Sequence, residues 1–257
     1  MNLEDITPVV LTFDEEPNIR RCLDRLSWAR RVVVVDSYSN DKTGEIAMTY
    51  RNVSLVHHAF VDFASQWNFA IALDEIDTLW ILALDADFMV EPDVVRDLQY
   101  LDTTGYDGFE ADFVYAINGK HLRGSLYPPL VVLFRGDRVK ITQEGHNQVA
   151  SVSGHVGEIP SPIIHDDRKP LSRWISNQVE YMEREAEKIT STPYDRLSRA
   201  DKIRRARFIA PLAAFLYALF WKDAILDGKA GLYYALQRMT AELILTLKLI
   251  ERDLGSK

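Results

Sequence analysis

The chain has 257 residues, of which 47% are hydrophobic and 26% charged, a globular composition that excludes a disordered or low-complexity protein. A formal net charge of −8 excludes a general nucleic-acid binder, because polyphosphate affinity rests on clustered Lys and Arg. Cys22 is the only cysteine, so no disulfide forms within the chain, and its spacing with Ile19, Leu23 and Leu26 places it on a core face.

The start, Met-Asn-Leu-Glu-Asp, lacks the basic and apolar runs of a secretory signal, and no stretch reaches the ~18 apolar residues of a membrane span, so a cytoplasmic location is expected. Short apolar runs at Val9–Phe13, Val32–Val35, Val53–Val56 and Leu79–Leu84 predict buried parallel strands. Amphipathic stretches at Pro17–Leu26, Thr43–Tyr50, Phe63–Leu73 and Pro92–Leu101 predict the helices between them. Strands alternating with helices predict an α/β fold with a mostly parallel sheet and crossover helices.

From Gly108 to about His165 the pattern is less regular. Strands are predicted at Gly108–Tyr115 and Leu130–Phe134, with a polar loop at Asn118–Ser125 and a polar segment at Gln143–Gln148. His57 and His58 read as structural strand residues, whereas His146 and His165 are read as following polar loops. From Pro170 onward the chain is helical in pattern: a basic cluster at Arg199–Arg207, an apolar run at Phe208–Trp221 and an amphipathic helix near Leu232–Leu249. The expected organisation is a catalytic domain over residues 1–169, split into a nucleotide-sugar half (1–107) and an acceptor half (108–169), followed by a C-terminal helical extension over 170–257.

Ligands of open α/β sheets sit beyond the carboxyl ends of the strands. Three such ends carry acids here: Thr12-Phe13-Asp14-Glu15-Glu16, Asp36-Ser37-Tyr38-Ser39-Asn40-Asp41 and Asp85-Ala86-Asp87. Gly-x-Gly-x-x-Gly is absent from all three, which favours a phosphate held through a cation over one cradled by glycine amides. In an extended segment the side chains of Asp85 and Asp87 point to one side, where they repel unless they share a cation. Their hard oxygen ligands suit Mg²⁺ or Mn²⁺, with a diphosphate completing the octahedron. Asp36 is a candidate acceptor for a uracil imide or a ribose hydroxyl, with Thr12 and Asp14 as weaker donor contacts. Gln66 and Asn68 reach a sugar or base if their helical face lines the site. The cluster His165-Asp166-Asp167 offers either a metal or phosphate contact or a helix cap before Leu171.

Taken in order, these residues resemble a family 2 glycosyltransferase with the GT-A fold, in the bacterial branch of lipopolysaccharide-core glucosyltransferases. The resemblance rests on Thr12-Phe13-Asp14-Glu15-Glu16, Asn18-Ile19-Arg20-Arg21-Cys22-Leu23, Trp28-Ala29, Val34-Val35-Asp36-Ser37-Tyr38-Ser39-Asn40-Asp41-Lys42-Thr43 and Leu84-Asp85-Ala86-Asp87. It continues through Leu133-Phe134-Arg135, His165-Asp166-Asp167-Arg168-Lys169-Pro170-Leu171 and Leu226-Asp227-Gly228-Lys229-Ala230-Gly231-Leu232. It implies that Asp36 contacts uracil, that Asp87 binds the metal directly, and that Asp85 touches ribose or metal-bound water; the expected metal ligands are Asp87, Asp85 and His165. It also implies that Arg135 meets the donor. Departures from the usual pattern are Asp14 in place of Asn, Phe88 in place of an acid, Val132 in place of a basic residue, and Asn147 after His146 where Glu is usual.

The expected function is therefore inverting, metal-dependent transfer of a hexose from a UDP-sugar to a hydroxyl of a cell-envelope glycan or lipid-linked saccharide. A carboxylate would deprotonate the acceptor, with Glu144 first and Asp166 and Asp167 in reserve. Two rivals stand beside it: a sugar nucleotidyltransferase, and a catalytically silent partner acting through its C-terminal helices. Those helices are expected to meet the inner face of the cytoplasmic membrane or a second subunit.

Overall fold

The computed structural model describes residues 1–144 and 147–255, with Glu144 and Asn147 described by their backbone alone. Its strands are β1 (Ile6–Thr12), β2 (Val32–Asp36), β3 (Val53–His57), β4 (Trp80–Asp85), β5 (Phe88–Met89), β6 (Gly108–Ile117), β7 (Lys120–His121), β8 (Leu130–Arg135), β9 (Val139–Glu144), β10 (Asn147–Val152) and β11 (Val156–His165). Its α-helices are α1 (Ile19–Asp24), α2 (Thr43–Ala47), α3 (Phe63–Ile71), α4 (Pro92–Tyr100), α5 (Leu171–Ser191), α6 (Arg199–Arg205), α7 (Ala210–Leu216) and α8 (Lys229–Gly255). The chain divides into two compact units. One comprises residues 1–119, 127–143 and 148–168, and the other 120–126, 144–147 and 169–257. The loop 120–126, expected in the acceptor half, thus belongs with the C-terminal helices.

The first unit is built on a sheet whose strands run in the order β3-β2-β1-β4-β8-β6-β11-β5. β1 pairs in parallel with β2 and β4, and β2 with β3. All seven residues of β1 and all five of β2 are buried, as continuous apolar runs covered on both faces must be. One face packs on α1 and α4 through residues such as Ile19, Leu23, Leu84 and Leu98, and the other packs on α3 through Trp67 and Ala70. Cys22 lies in the first of these cores at 0% exposure, and burial together with the Asp87, Glu15 and Asp85 carboxylates pushes its thiol pKa up. It is a packed, inert thiol.

The predicted strands and helices of residues 6–101 all form, with ends shifted by a few residues. The later half departs further. β5, β7, β9, β10 and β11 were not foreseen, and His165 ends the ten-residue strand β11 rather than following a polar loop. β11 runs parallel to β6 with an irregular register between Ile159 and Ile163, and its last residues pair antiparallel with β5. Its exposure alternates only in part, which hides it from a period-two reading.

The second unit is a helical assembly in which Met182, Ala186 and Ile189 of α5 pack on Leu245 and Leu249 of α8. The apolar run after residue 207 forms α7 and then a π-helical turn at Tyr217–Trp221. The loop 120–126 is fastened inside this unit. The Arg123 backbone N–H donates to Asp227 Oδ2 at 2.9 Å, and that of Leu126 donates to the Tyr234 hydroxyl at 2.6 Å. A Cβ on Gly231 would run into the Ala224 carbonyl oxygen, so the Asp227–Leu232 stretch admits only glycine there. Among the described residues, no helix is long and apolar enough to cross a membrane.

Candidate functional site

Parallel register brings the acidic strand ends level with one another. Thr12 lies beside Asp36, Asp36 beside His57, and Leu11 beside Asp85. The carboxyl ends of β1, β2, β3 and β4 thus form one rim of the first unit, where an α/β sheet presents its ligand groups.

Asp36 is 1% exposed, and both its oxygens are occupied. Oδ1 accepts from the Thr12 hydroxyl at 2.9 Å and from the Ser39 hydroxyl, while Oδ2 accepts from the Ser39 backbone N–H at 2.8 Å. His57 Nδ1 lies 3.3 Å from Oδ2 on a half-exposed ring that stacks on Tyr38 at 5.4 Å between centroids. Asp14, in the left-handed region at φ 52°, accepts from the Asn40 N–H at 2.7 Å on its side chain and donates its own backbone N–H to the Ser39 hydroxyl oxygen at 2.8 Å. Thr12 and Asp14 therefore lock the first loop to the second.

Asp87 follows β4 by two residues. The antiparallel pairing of Phe88 with His165 carries the end of β11 to it, across 78 positions of sequence. His165 Nε2 stands 3.3 Å from Asp87 Oδ2, and the Asp166 backbone N–H donates to the Asp87 carbonyl at 3.0 Å. Burial opposes charge on the imidazole, but the Asp87 carboxylate outweighs it, with Asp85 and Asp167 adding to the effect, so the His165 pKa is raised. Phe88, Tyr115 and Tyr127 enclose that ring at 5.3, 4.7 and 4.6 Å between centroids. Phe88 is 3% exposed, which accounts for its standing where an acid is usual: the position faces the aromatic packing under His165.

Among the described residues, no group of three or more His, Cys, Asp or Glu converges as a metal cage. Asp87 and His165, with Asp85 two residues away, present carboxylate and imidazole donors that suit Mg²⁺ or Mn²⁺ when a bound diphosphate supplies further oxygens. The residues thus fit a cation shared with a substrate.

The structure redirects several predicted residues. Asp166 does not cap α5, whose N-cap is Pro170 without a side-chain bond. Its Oδ2 takes the Arg21 guanidinium at 2.6 Å and both Nε and Nη2 of Arg168 at 2.9 and 2.7 Å, while Oδ1 takes the Gly119 N–H at 3.2 Å. Burial works against the carboxylate, but these donors hold its pKa below the usual range. Arg21, Arg168 and Asn18 were assigned no role from sequence. Asn18, at 0% exposure, donates to Asp167 Oδ1 at 2.9 Å and to Glu15 at 2.8 Å, and accepts the Arg168 N–H at 2.9 Å. Asp167 is thereby fixed beside the first loop.

Gln66 is buried and spends its amide on His58 and Ser37, with Oε1 2.8 Å from His58 Nδ1 and Nε2 donating to the Ser37 hydroxyl at 3.1 Å. Asn68 donates to the Ile141 carbonyl at 3.0 Å and ties α3 to β9. Both amides thus bridge elements of the first unit. Arg135 pairs in register with Trp80, the first residue of β4, because β8 runs antiparallel to it. It therefore sits at the opposite end of β4 from Asp85, with Asp107 and Asp137 at 3.7 and 3.2 Å. The Glu144 side chain and His146 lie outside the described residues.

No curated protein matches this chain. Among solved structures, it is similar to S. aureus TarS 1–349, at 14% identity over 97% of this chain and 91% of that one, with a TM-score of 0.47. It is also similar to glucosyl-3-phosphoglycerate synthase from Mycobacterium tuberculosis in complex with Mn²⁺, uridine diphosphate and phosphoglyceric acid, at 12% identity over 73% and 79% of the two chains, with a TM-score of 0.44. Residues 8–155, more than half the chain and including the carboxyl ends of β1 to β4, match the family described as glycosyl transferase family 2, and the protein belongs to that family.

Proposed function

We propose that this glycosyltransferase moves a hexose from a UDP-sugar to a hydroxyl of a cell-envelope glycan or lipid-linked saccharide, with inversion and with help from a divalent cation. The observation that carries the reading is the convergence of Asp87 and His165 at the tip of β4, beside Asp85. In this reading Asp87 and His165 hold Mg²⁺ or Mn²⁺, and Asp85 faces ribose or a metal-bound water. The cation, when bound, neutralises charge on the leaving diphosphate.

Around that centre the chain's own groups orient and exclude. The enclosing rings of Phe88, Tyr115 and Tyr127 keep water from one side of His165 and fix its plane. Asp36 serves the uracil: its carboxylate already accepts three hydrogen bonds, from Thr12 and Ser39, so the imide enters on the side of the half-exposed His57 ring, 3.3 Å away. Glu144 accepts the proton of the acceptor hydroxyl, with Asp167, positioned by Asn18, in reserve. Asp166, bound by two guanidinium groups, positions its neighbours instead. The lipopolysaccharide-core branch remains part of this proposal, and so does action at the inner face of the cytoplasmic membrane.

The deciding experiment measures hydrolysis and transfer from a panel of nucleotide sugars with Mn²⁺, with Mg²⁺ and with EDTA. Turnover of a UDP-hexose that stops in EDTA supports the reading. Full activity in EDTA sinks the metal assignment, and preference for a guanosine donor sinks the role of Asp36. Absence of turnover with every donor would favour the catalytically silent partner.

A further inference from the structure

We infer that the C-terminal helical unit docks on an anionic lipid surface through the open face of α7 and the π-helical turn that follows it. Leu212 is 55% exposed, Leu216 43%, Phe220 56% and Trp221 76%, while Ala210, Pro211 and Ala218 are buried. The spacing of positions 212, 216 and 220 puts them on one side of the helix, with the buried small residues on the other. Phe208, just before α7, is 79% exposed. Scattered apolar residues on a surface need no explanation, but large aliphatic and aromatic side chains aligned on one helix face do.

Charge identifies the occupant. Residues 169–257 carry 16 Lys and Arg against 11 Asp and Glu, a net of +5, whereas residues 1–168 carry 14 against 27, a net of −13. A second copy meeting this unit through the same face would bring like charge to like charge. An anionic bilayer surface is complementary to it, and open Trp and Phe side chains in a net-basic helical unit are the composition of a helix that lies in the interface plane.

The structure also sorts the basic cluster. Arg204 is bound to Glu242 at 2.8 Å and to Asp201 at 3.4 Å, and Arg207 is bound to Asp253, so both are engaged within the unit. Arg199 is exposed, and the partly exposed Lys202 and Arg205 lie over the exposed Tyr194 ring at 5.4 and 5.7 Å. These three are the charges that meet the headgroups. The inference deepens the lipid-linked acceptor of the proposed function and draws its purpose from it, yet docking is read without turnover.

The test is flotation of the full chain with vesicles of phosphatidylcholine, alone or mixed with phosphatidylglycerol, at low and high salt. The unmodified protein should float with the anionic vesicles at low salt and leave them as salt rises. Arg199→Glu, Lys202→Glu and Arg205→Glu together should weaken binding on the order of 100-fold. Leu212→Gln, Phe220→Gln and Trp221→Gln together should abolish it, and Arg20→Glu, Arg51→Glu and Lys140→Glu, all in the first unit, should leave it intact. Circular dichroism and UDP binding establish that each variant is folded. Failure of the unmodified protein to float at low salt overturns the inference, as does equal binding by all variants. A dimer in sedimentation that the Gln variants dissociate, without flotation, assigns the face to a second copy and also overturns it. None of these outcomes alters donor hydrolysis, so the enzymatic reading stands or falls separately.

Discussion

Asp166→Asn separates a positioning carboxylate from a catalytic one. The wild-type side chain is 2% exposed and accepts three bonds from the Arg21 and Arg168 guanidinium groups, plus one from the Gly119 N–H. Hydrogen bonds to charged groups contribute about 1.5–3 kcal/mol each. Both guanidinium groups are about a third exposed, at 31% and 33%, so water recovers much of their loss. The amide keeps the shape and one acceptor, and a net destabilisation of about 2 kcal/mol follows, or a fall in urea midpoint of roughly 1 M. The effect depends on pH. The folded-state pKa of Asp166 is lowered, so its contribution is fully present above the unfolded carboxyl value of about 3.9 and is lost as pH falls through the lower folded value. The wild-type and variant stabilities should therefore differ at pH 7 and converge in acid. Urea titrations followed by tryptophan fluorescence at pH 7 and in acid measure this. A variant as stable as wild type at pH 7 refutes the clamp, and a variant of unchanged stability that loses nearly all transfer would restore Asp166 as the base.

Other expected outcomes concern the reaction and the fold. Asp87→Ala should abolish transfer while the protein remains folded by circular dichroism, and His165→Ala should weaken Mn²⁺ binding in calorimetry while leaving the far-ultraviolet spectrum unchanged. Glu144→Gln should lower the transfer rate by about 10²–10⁴-fold with donor affinity held, read as kcat against the Kd for UDP. UDP should bind more tightly than GDP in the presence of Mn²⁺, and the reverse order in a titration would remove Asp36 from the base pocket. Gly231→Ala should destabilise the helical unit by roughly 3 kcal/mol or more through its collision with the Ala224 carbonyl, seen as a lower midpoint of thermal unfolding.

β1 to β4 and the helices between and after them were legible because each is decided locally. Four short apolar runs, each bounded by polar clusters, became β1 to β4, and the helices between them lie where the amphipathic stretches stand. The acids at the strand ends were legible for the same reason: parallel register turns equal positions along each strand into neighbours on one rim. β11 was illegible because its partners are distant and its exposure follows no simple period, so nothing in Val156–His165 announces a strand until β6 and β5 flank it. The short strand β5 has the same character.

What a polar residue does depends on whether the fold leaves its atoms available, and here the sequence pattern is nearly silent. Asp36, Asp166 and Gln66 all carry groups able to meet a ligand, yet each is buried with protein donors or acceptors already in place. Arg135 ends an apolar strand much as Asp36 and Asp85 do, but the antiparallel direction of β8 sends its end away from the rim. Conversely, Asn18 reads as an ordinary residue ahead of a helix, and only the return of the chain 149 positions later gives it Asp167 to hold. The centre of the site has the same origin. Asp87 brings the carboxylate from a strand end that a local pattern can find, and His165 brings the imidazole by a strand pairing that it cannot. The metal reading therefore rests on a contact between the legible half of the molecule and the illegible one.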